Sequence, residues 1–435
     1  MVKYISIYYN EDNKKFSLIG EDWVGILGVI VSLILVVALS RKKVNIGLAM
    51  ILGAVIVTAT SGISYKEGLN IFIGVFVTPE FIELALVVLM ISLLGFVMKQ
   101  VGFLDTMISS LISLLGGTKL LMASIPSLIG LLTVPGGAAL SAPMVGESGE
   151  RLGLKKCQMG AINIFFRHMW FPIYPLYPPF LLVAAMTDVE IKHIILVSFP
   201  IVLSGVLVSF LTMFKGITPI KNNDKSESKS KVFGKFILSI SPILLALILS
   251  LGFSLLFPIA IFIAVIWVLL IDAKDNLHSW QKPVKKIKKD ILPGINYTLA
   301  ITIFGIFFFK EILEASSVVE DLMLELQSLG LPLTLLVVLA SGISGLVTGS
   351  NSAALGITIP IFASAIAYNP LPYVLLMFMT SLWAYVLSPI HLCLVLTKDY
   401  FDFDFFEFYK WFIQPGLAMT IVTVIIIYIM PYMMP

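Results

Sequence analysis

Residues 348–356 read "TGSNSAALG" and lie between two strongly apolar runs, "LPLTLLVVLASGISGLV" (331–347) and "ITIPIFASAIA" (357–367). The nine residues carry no charge. They are also too rich in Gly, Ser and Asn to continue a lipid-facing helix, because hydroxyls and amides compete for the backbone and glycine weakens helices. The flanks are typical of chain buried in a bilayer, so the stretch predicts a break placed at membrane depth. Non-helical backbone is tolerated there only where it lines a cavity or packs in protein.

The rest of the chain supports a membrane setting. Of 435 residues, 58% are hydrophobic and 13% charged, with a mean hydropathy of +1.01. Such a composition cannot cover a water-soluble surface, and it predicts an all-α polytopic membrane protein. Ten spans are predicted, near 22–40, 46–64, 82–98, 157–187, 191–214, 236–254, 255–273, 291–310, 371–397 and 412–430. Each is long enough for a hydrocarbon core of about 30 Å. The spans at 157–187 and 371–397 contain "WFPIYPLYPP" and "VLSPIH", so each reads as two half-helices joined at a proline break. The basic loops are Arg41–Lys43, Arg151–Lys156, 215–235 and 272–290. By the positive-inside rule these face the cytoplasm and both termini lie outside, in a multi-pass protein of the cell membrane. The N-terminus shows no cleaved signal peptide.

The break occurs twice. "GLLTVPGGAAL" (Gly130–Leu140) aligns with "GLVTGSNSAAL" (Gly345–Leu355) at an offset of 345 − 130 = 215 residues. "WFPIYPLY" from Trp170 is echoed by "WAYVLSPIH" from Trp383 in nearly the same register. Each half therefore reads span, span, span, broken hairpin, broken span, span. Five full spans per half invert the second half relative to the first, the inverted-topology repeat of secondary transporters. The expected organisation is an extracytoplasmic segment 1–21, a first repeat 22–214 with a re-entrant hairpin 119–147, a cytoplasmic linker 215–235, and a second repeat 236–435 with a re-entrant hairpin 331–366.

Two hairpin tips and two broken helices bring several helix ends toward the bilayer centre. Half-helix N-termini suit an anion such as a carboxylate, and unwound carbonyls suit a cation. The candidate ligands are Thr133, Gly136 and Gly137 at one tip, and Thr348, Gly349, Ser350, Asn351 and Ser352 at the other. Ser388 and His391 lie at the second break. Arg167, in "INIFFRHMWFP", costs roughly 2.5–3.5 kcal/mol at the centre of a membrane helix. It is expected either to face a substrate carboxylate or phosphate or to snorkel to the cytoplasmic edge. His168 and His391 read as proton carriers or as neutral hydrogen-bonding groups. No metal-ligand spacing of the CxxC type occurs, and the two cysteines form no disulfide framework. No GxxxxGK[ST] loop is present, which disfavours ATP-driven pumping. No nucleic-acid partner or cofactor is expected, only a small solute, membrane lipid, and coupling H⁺ or Na⁺, the Na⁺ near Ser350 and Asn351. Two alternatives are a cation/proton antiporter and, from "GISG" at 342–345 followed by His391, a rhomboid-like serine protease built on Ser344.

"TVPGGAALSAPM", "GSNSAALGITIP" and "SPIHLCLVLTKDYF" resemble a prokaryotic membrane family, the domain of unknown function 401 family, over most of the chain. That family is grouped with the ion transporter superfamily of gluconate, citrate and dicarboxylate permeases. The resemblance implies inverted repeats, two re-entrant hairpins, a homodimer and elevator-like motion. In sodium-coupled dicarboxylate members of the superfamily, Ser-Asn-Thr motifs at both tips bind sodium and substrate. Ser350-Asn351-Ser352 is close to that motif, whereas Pro135-Gly136-Gly137 departs from it.

Overall fold

A computed structural model describes residues 18–115, 119–131, 137–215, 228–275, 291–316, 318 and 330–433. Among them the chain is helical, with no strand. Five helices precede the first tip: α1 Leu18–Arg41, α2 Ile46–Thr60, α3 Tyr65–Val75, α4 Pro79–Gln100 and α5 Phe103–Leu115. The first hairpin is α6 Lys119–Leu131 and α7 Gly137–Arg151. The first broken helix follows as α8 Lys156–His168 and α9 Pro178–Thr187, and α10 Ile191–Met213 closes the half.

The second half runs through α11 Lys229–Leu247, α12 Phe257–Asp275 and α13 Tyr297–Ser316. A second hairpin, α14 Leu333–Thr348 and α15 Asn351–Ile366, leads to a second broken helix, α16 Pro370–Val386 and α17 Leu392–Phe401. The final helix, α18, is Phe405–Met433. This is the all-α polytopic architecture with two helical hairpins that the sequence predicts. Among the described residues, eight spans are long and apolar enough to cross a membrane unaided, the broken α8–α9 unit among them. α2 and the broken α16–α17 unit complete the ten expected spans. Two amphipathic helices, α3 and α5, were not expected. They are short, and their polar residues lower the hydropathy that marks a span.

Packing repeats with the element order. α6 lies on α8 as α14 lies on α16, while α7 touches α17 and α15 touches α9 across the two halves. Outside them, α2 packs on α13 and α4 on α12, and α10 pairs with α18. Every one of these contacts is matched when the halves are exchanged. Gly47 and Gly305 bring α2 and α13 together, since a methyl on either would run into the backbone of the other helix. Asn45 fixes the same junction by donating to the Thr298 carbonyl at 3.2 Å and to Thr302 Oγ1 at 3.1 Å.

The hairpin arms are short. α14 and α15 have 16 residues each, about 24 Å at 1.5 Å per residue, against a hydrocarbon core of about 30 Å. Their tip is buried: Thr348 is 7% exposed and Asn351 2%. A turn in a water-filled loop would be open, so the burial of the tip agrees with a hairpin that turns inside the protein; arm length alone does not decide, since α2 has 15 residues and counts as a span.

Candidate functional site

The second tip is held by its own polar groups. α14 ends because Gly349 takes φ +59°, a left-handed cap that favours glycine. A methyl there would lie 2.8 Å from Ile390 Cγ1 and 3.1 Å from the His391 backbone nitrogen. The tip therefore rests on the break between α16 and α17. Ser350 caps α15 by accepting from the Ala353 N–H at 3.3 Å. Thr348 donates to the Ser344 carbonyl at 2.6 Å. Ser388 is fully buried and donates to the Leu346 carbonyl at 2.6 Å, tying the break to the hairpin. These hydroxyls hold the tip together. Ser352 is half-buried beside them.

Asn351 is different. Its Oδ1 accepts from Ser381 Oγ at 2.8 Å, and its Nδ2 makes no well-formed hydrogen bond. The Tyr177 hydroxyl lies beside this amide and beside Tyr385. The Nδ2 of Asn351 is a donor, which suits a carboxylate or carbonyl oxygen. Ser350 Oγ and Asn351 Oδ1, the oxygens named for Na⁺, each accept one hydrogen bond within the fold and keep a second lone pair.

At the first tip Thr133 and Gly136 lie outside the described residues. Gly137, the first residue of α7, is buried. A methyl on it would sit 2.7 Å from both terminal nitrogens of Arg167, so the guanidinium lies directly against this helix start. Arg167 is 4% exposed, buried against this helix start. Gly130 abuts the Arg167 carbonyl, and Gly345 abuts the Ser381 carbonyl. The glycines are matched by the repeat, so Arg167 and Ser381 hold equivalent positions, 381 − 167 = 214 residues apart. One repeat sets an arginine over a glycine tip. The other sets a serine against an asparagine tip.

The broken helices add a compact set of rings. His391 precedes α17 as Tyr177 precedes α9, each at the N-cap position with its side chain making no capping hydrogen bond. His391 stands 4.8 Å from His168 and 4.3 Å from Tyr385, ring centre to ring centre. Asn163, fully buried on α8, donates to the Ala138 carbonyl at 3.2 Å and to Thr397 Oγ1 at 2.9 Å, while its Oδ1 accepts no hydrogen bond. Sequence reasoning missed Asn163, Tyr177, Ser381 and Tyr385. The 214-residue register could have flagged Tyr177 through His391; Ser381 carries no such mark. His391 directs Nδ1 to the Val386 carbonyl at 3.3 Å, and no hydrogen bond joins it to Ser344 among the described residues. The protease-like dyad is not formed.

Two positive features adjoin in this centre. The N-terminus of α7 carries about half a positive charge, and the Arg167 guanidinium adjoins it. Two like poles side by side in a low-dielectric interior attract a negative group strongly.

The sequence profile of a family described as protein of unknown function (DUF401) matches residues 24–430. The chain belongs to the DUF401 family. No match was found among curated proteins. Among solved structures, the YdaH transporter of Alcanivorax borkumensis is similar, with a TM-score of 0.57 and 16% identity, covering 84% of this chain and 89% of that one. At that identity the likeness concerns the fold, and this DUF401 protein has the fold of a membrane transporter.

Proposed function

We propose that this DUF401 protein is a secondary active transporter of a small organic anion, carboxylate-bearing, coupled to H⁺ or Na⁺. Alternating access would occur about a site between the two tips and the two broken helices. The observation that carries this reading is the Arg167 guanidinium lying against the first residue of α7. Asn351 Nδ2 would orient the ligand from the opposite repeat, and Tyr177 would stand beside it. The cell-membrane location, the extracytoplasmic termini, the repeat boundaries and a homodimer belong to the same proposal.

Its test is a thermal-shift screen of organic acids against purified protein, with and without Na⁺, since a ligand selective for the native state raises its melting temperature. The best stabiliser is then followed into proteoliposomes under an ion gradient. Ion-driven accumulation of the acid is the expected result. Cation/proton exchange with no organic acid present would replace this reading by an antiporter.

A further inference from the structure

Three soft or borderline ligands meet at the broken helices. One ring nitrogen each of His168 and His391 and the Cys393 sulfur lie within 4.8 Å of one another. We infer that His168, His391 and Cys393 form a binding site for a monovalent, thiophilic metal ion of the copper(I) or silver(I) class.

The histidine geometry supports this first. His168 Nδ1 lies 2.7 Å from the Ile164 carbonyl, and His391 Nδ1 lies 3.3 Å from the Val386 carbonyl. A carbonyl accepts only, so each Nδ1 carries the ring proton and each Nε2 keeps its lone pair. A backbone carbonyl holding the far nitrogen is the outer-shell arrangement that orients a metal-binding imidazole. Both rings are buried, at 2% and 3% exposure, so few rotamers are open to them. Cys393, on the first turn of α17, is half-buried, which leaves a path for an ion.

Distance and charge then narrow the ion. Metal–ligand bonds of roughly 2.0–2.3 Å place three ligands of a trigonal centre about 3.5–3.8 Å apart, a closure of about 1 Å from the present spread. Binding converts the Cys393 thiol and M⁺ into a neutral thiolate–metal unit and releases one proton to solvent, with no change of oxidation state. A divalent ion would add a net positive charge next to the buried Arg167, an expensive arrangement in a low-dielectric interior. Thiolate softness selects copper(I) among the biological monovalent ions. The assignment does not depend on the transport reading and can fail without it.

The experiment titrates Ag⁺, a redox-stable probe, into full-length protein purified in detergent. The expected result is one Ag⁺ per chain, with binding roughly 100-fold weaker in Cys393→Ser because the thiolate supplies both softness and charge. His391→Ala should weaken it about tenfold, and Cys157→Ser should leave it unchanged. X-ray absorption on the copper(I)-loaded wild type should show one sulfur and two imidazole nitrogens, a readout independent of how the variants fold. Sulfur-only coordination, stoichiometry that follows Cys157, or wild-type affinity in Cys393→Ser would each overturn the site.

Discussion

Ser381 should act on ligand binding only through Asn351, and a double-mutant cycle measures that. In Asn351→Ala the amide donor is gone, while the Ser381 hydroxyl keeps an acceptor in the Phe378 carbonyl at 3.1 Å. No orphaned hydroxyl is created there, so the loss falls on the ligand. A hydrogen bond to a charged group contributes about 1.5–3 kcal/mol, or roughly 10- to 150-fold in Kd. In Ser381→Ala the amide remains but loses the 2.8 Å bond that fixes its plane. That costs about 1 kcal/mol, roughly fivefold. Once Asn351 is absent, Ser381 has nothing to orient, so the double variant should bind like Asn351→Ala alone. Independent residues would instead multiply their effects. The assay is calorimetric titration with the carboxylate that best stabilises the protein, after size-exclusion chromatography has confirmed folding. Multiplicative losses in the double variant would refute the relay, and unchanged affinity in Asn351→Ala would remove the residue from the site.

Three further substitutions probe the same centre. Gly137→Ala places a methyl 2.7 Å from both Arg167 terminal nitrogens and 2.9 Å from Ile129 Cγ2; carboxylate affinity should fall by about tenfold or more, roughly 1.4 kcal/mol, in protein that size-exclusion chromatography shows to be folded. Affinity equal to wild type would show that the guanidinium does not need that space. Gly349→Ala forces an L-residue to φ +59°, at about 1–2 kcal/mol, and a lowered melting temperature in detergent is expected; an unchanged one would mean that the tip does not rest on the break. Ser388→Ala removes the 2.6 Å bond to Leu346, worth about 1 kcal/mol. It should slow uptake more than it weakens binding, and the reverse pattern would place Ser388 on the ligand itself.

Much of the architecture was legible because glycine, serine and proline interrupt apolar chain in few ways. "TGSNSAALG" and "TVPGGAALS" mark the two tips, and the prolines of "WFPIYPLYPP" and "VLSPIH" mark the two helix breaks. α3 and α5 escaped notice because short amphipathic helices lack the long apolar run that identifies a span. The site was legible in its components but not in its pairings. Arg167 stood out by its cost in a membrane helix, yet its position over Gly137 depends on the approach of α6, α7 and α8. Ser381 is an ordinary serine in an apolar run. Its equivalence to Arg167 becomes visible only when Gly130 and Gly345 are seen against the two carbonyls.

The most direct test of the central claim is uptake of the stabilising carboxylate into proteoliposomes by wild type, Arg167→Lys and Arg167→Gln, under imposed H⁺ or Na⁺ gradients. The account predicts gradient-driven accumulation by wild type, partial activity in Arg167→Lys, which keeps the charge but loses the planar fork, and none in Arg167→Gln. Undiminished accumulation by Arg167→Gln would contradict it.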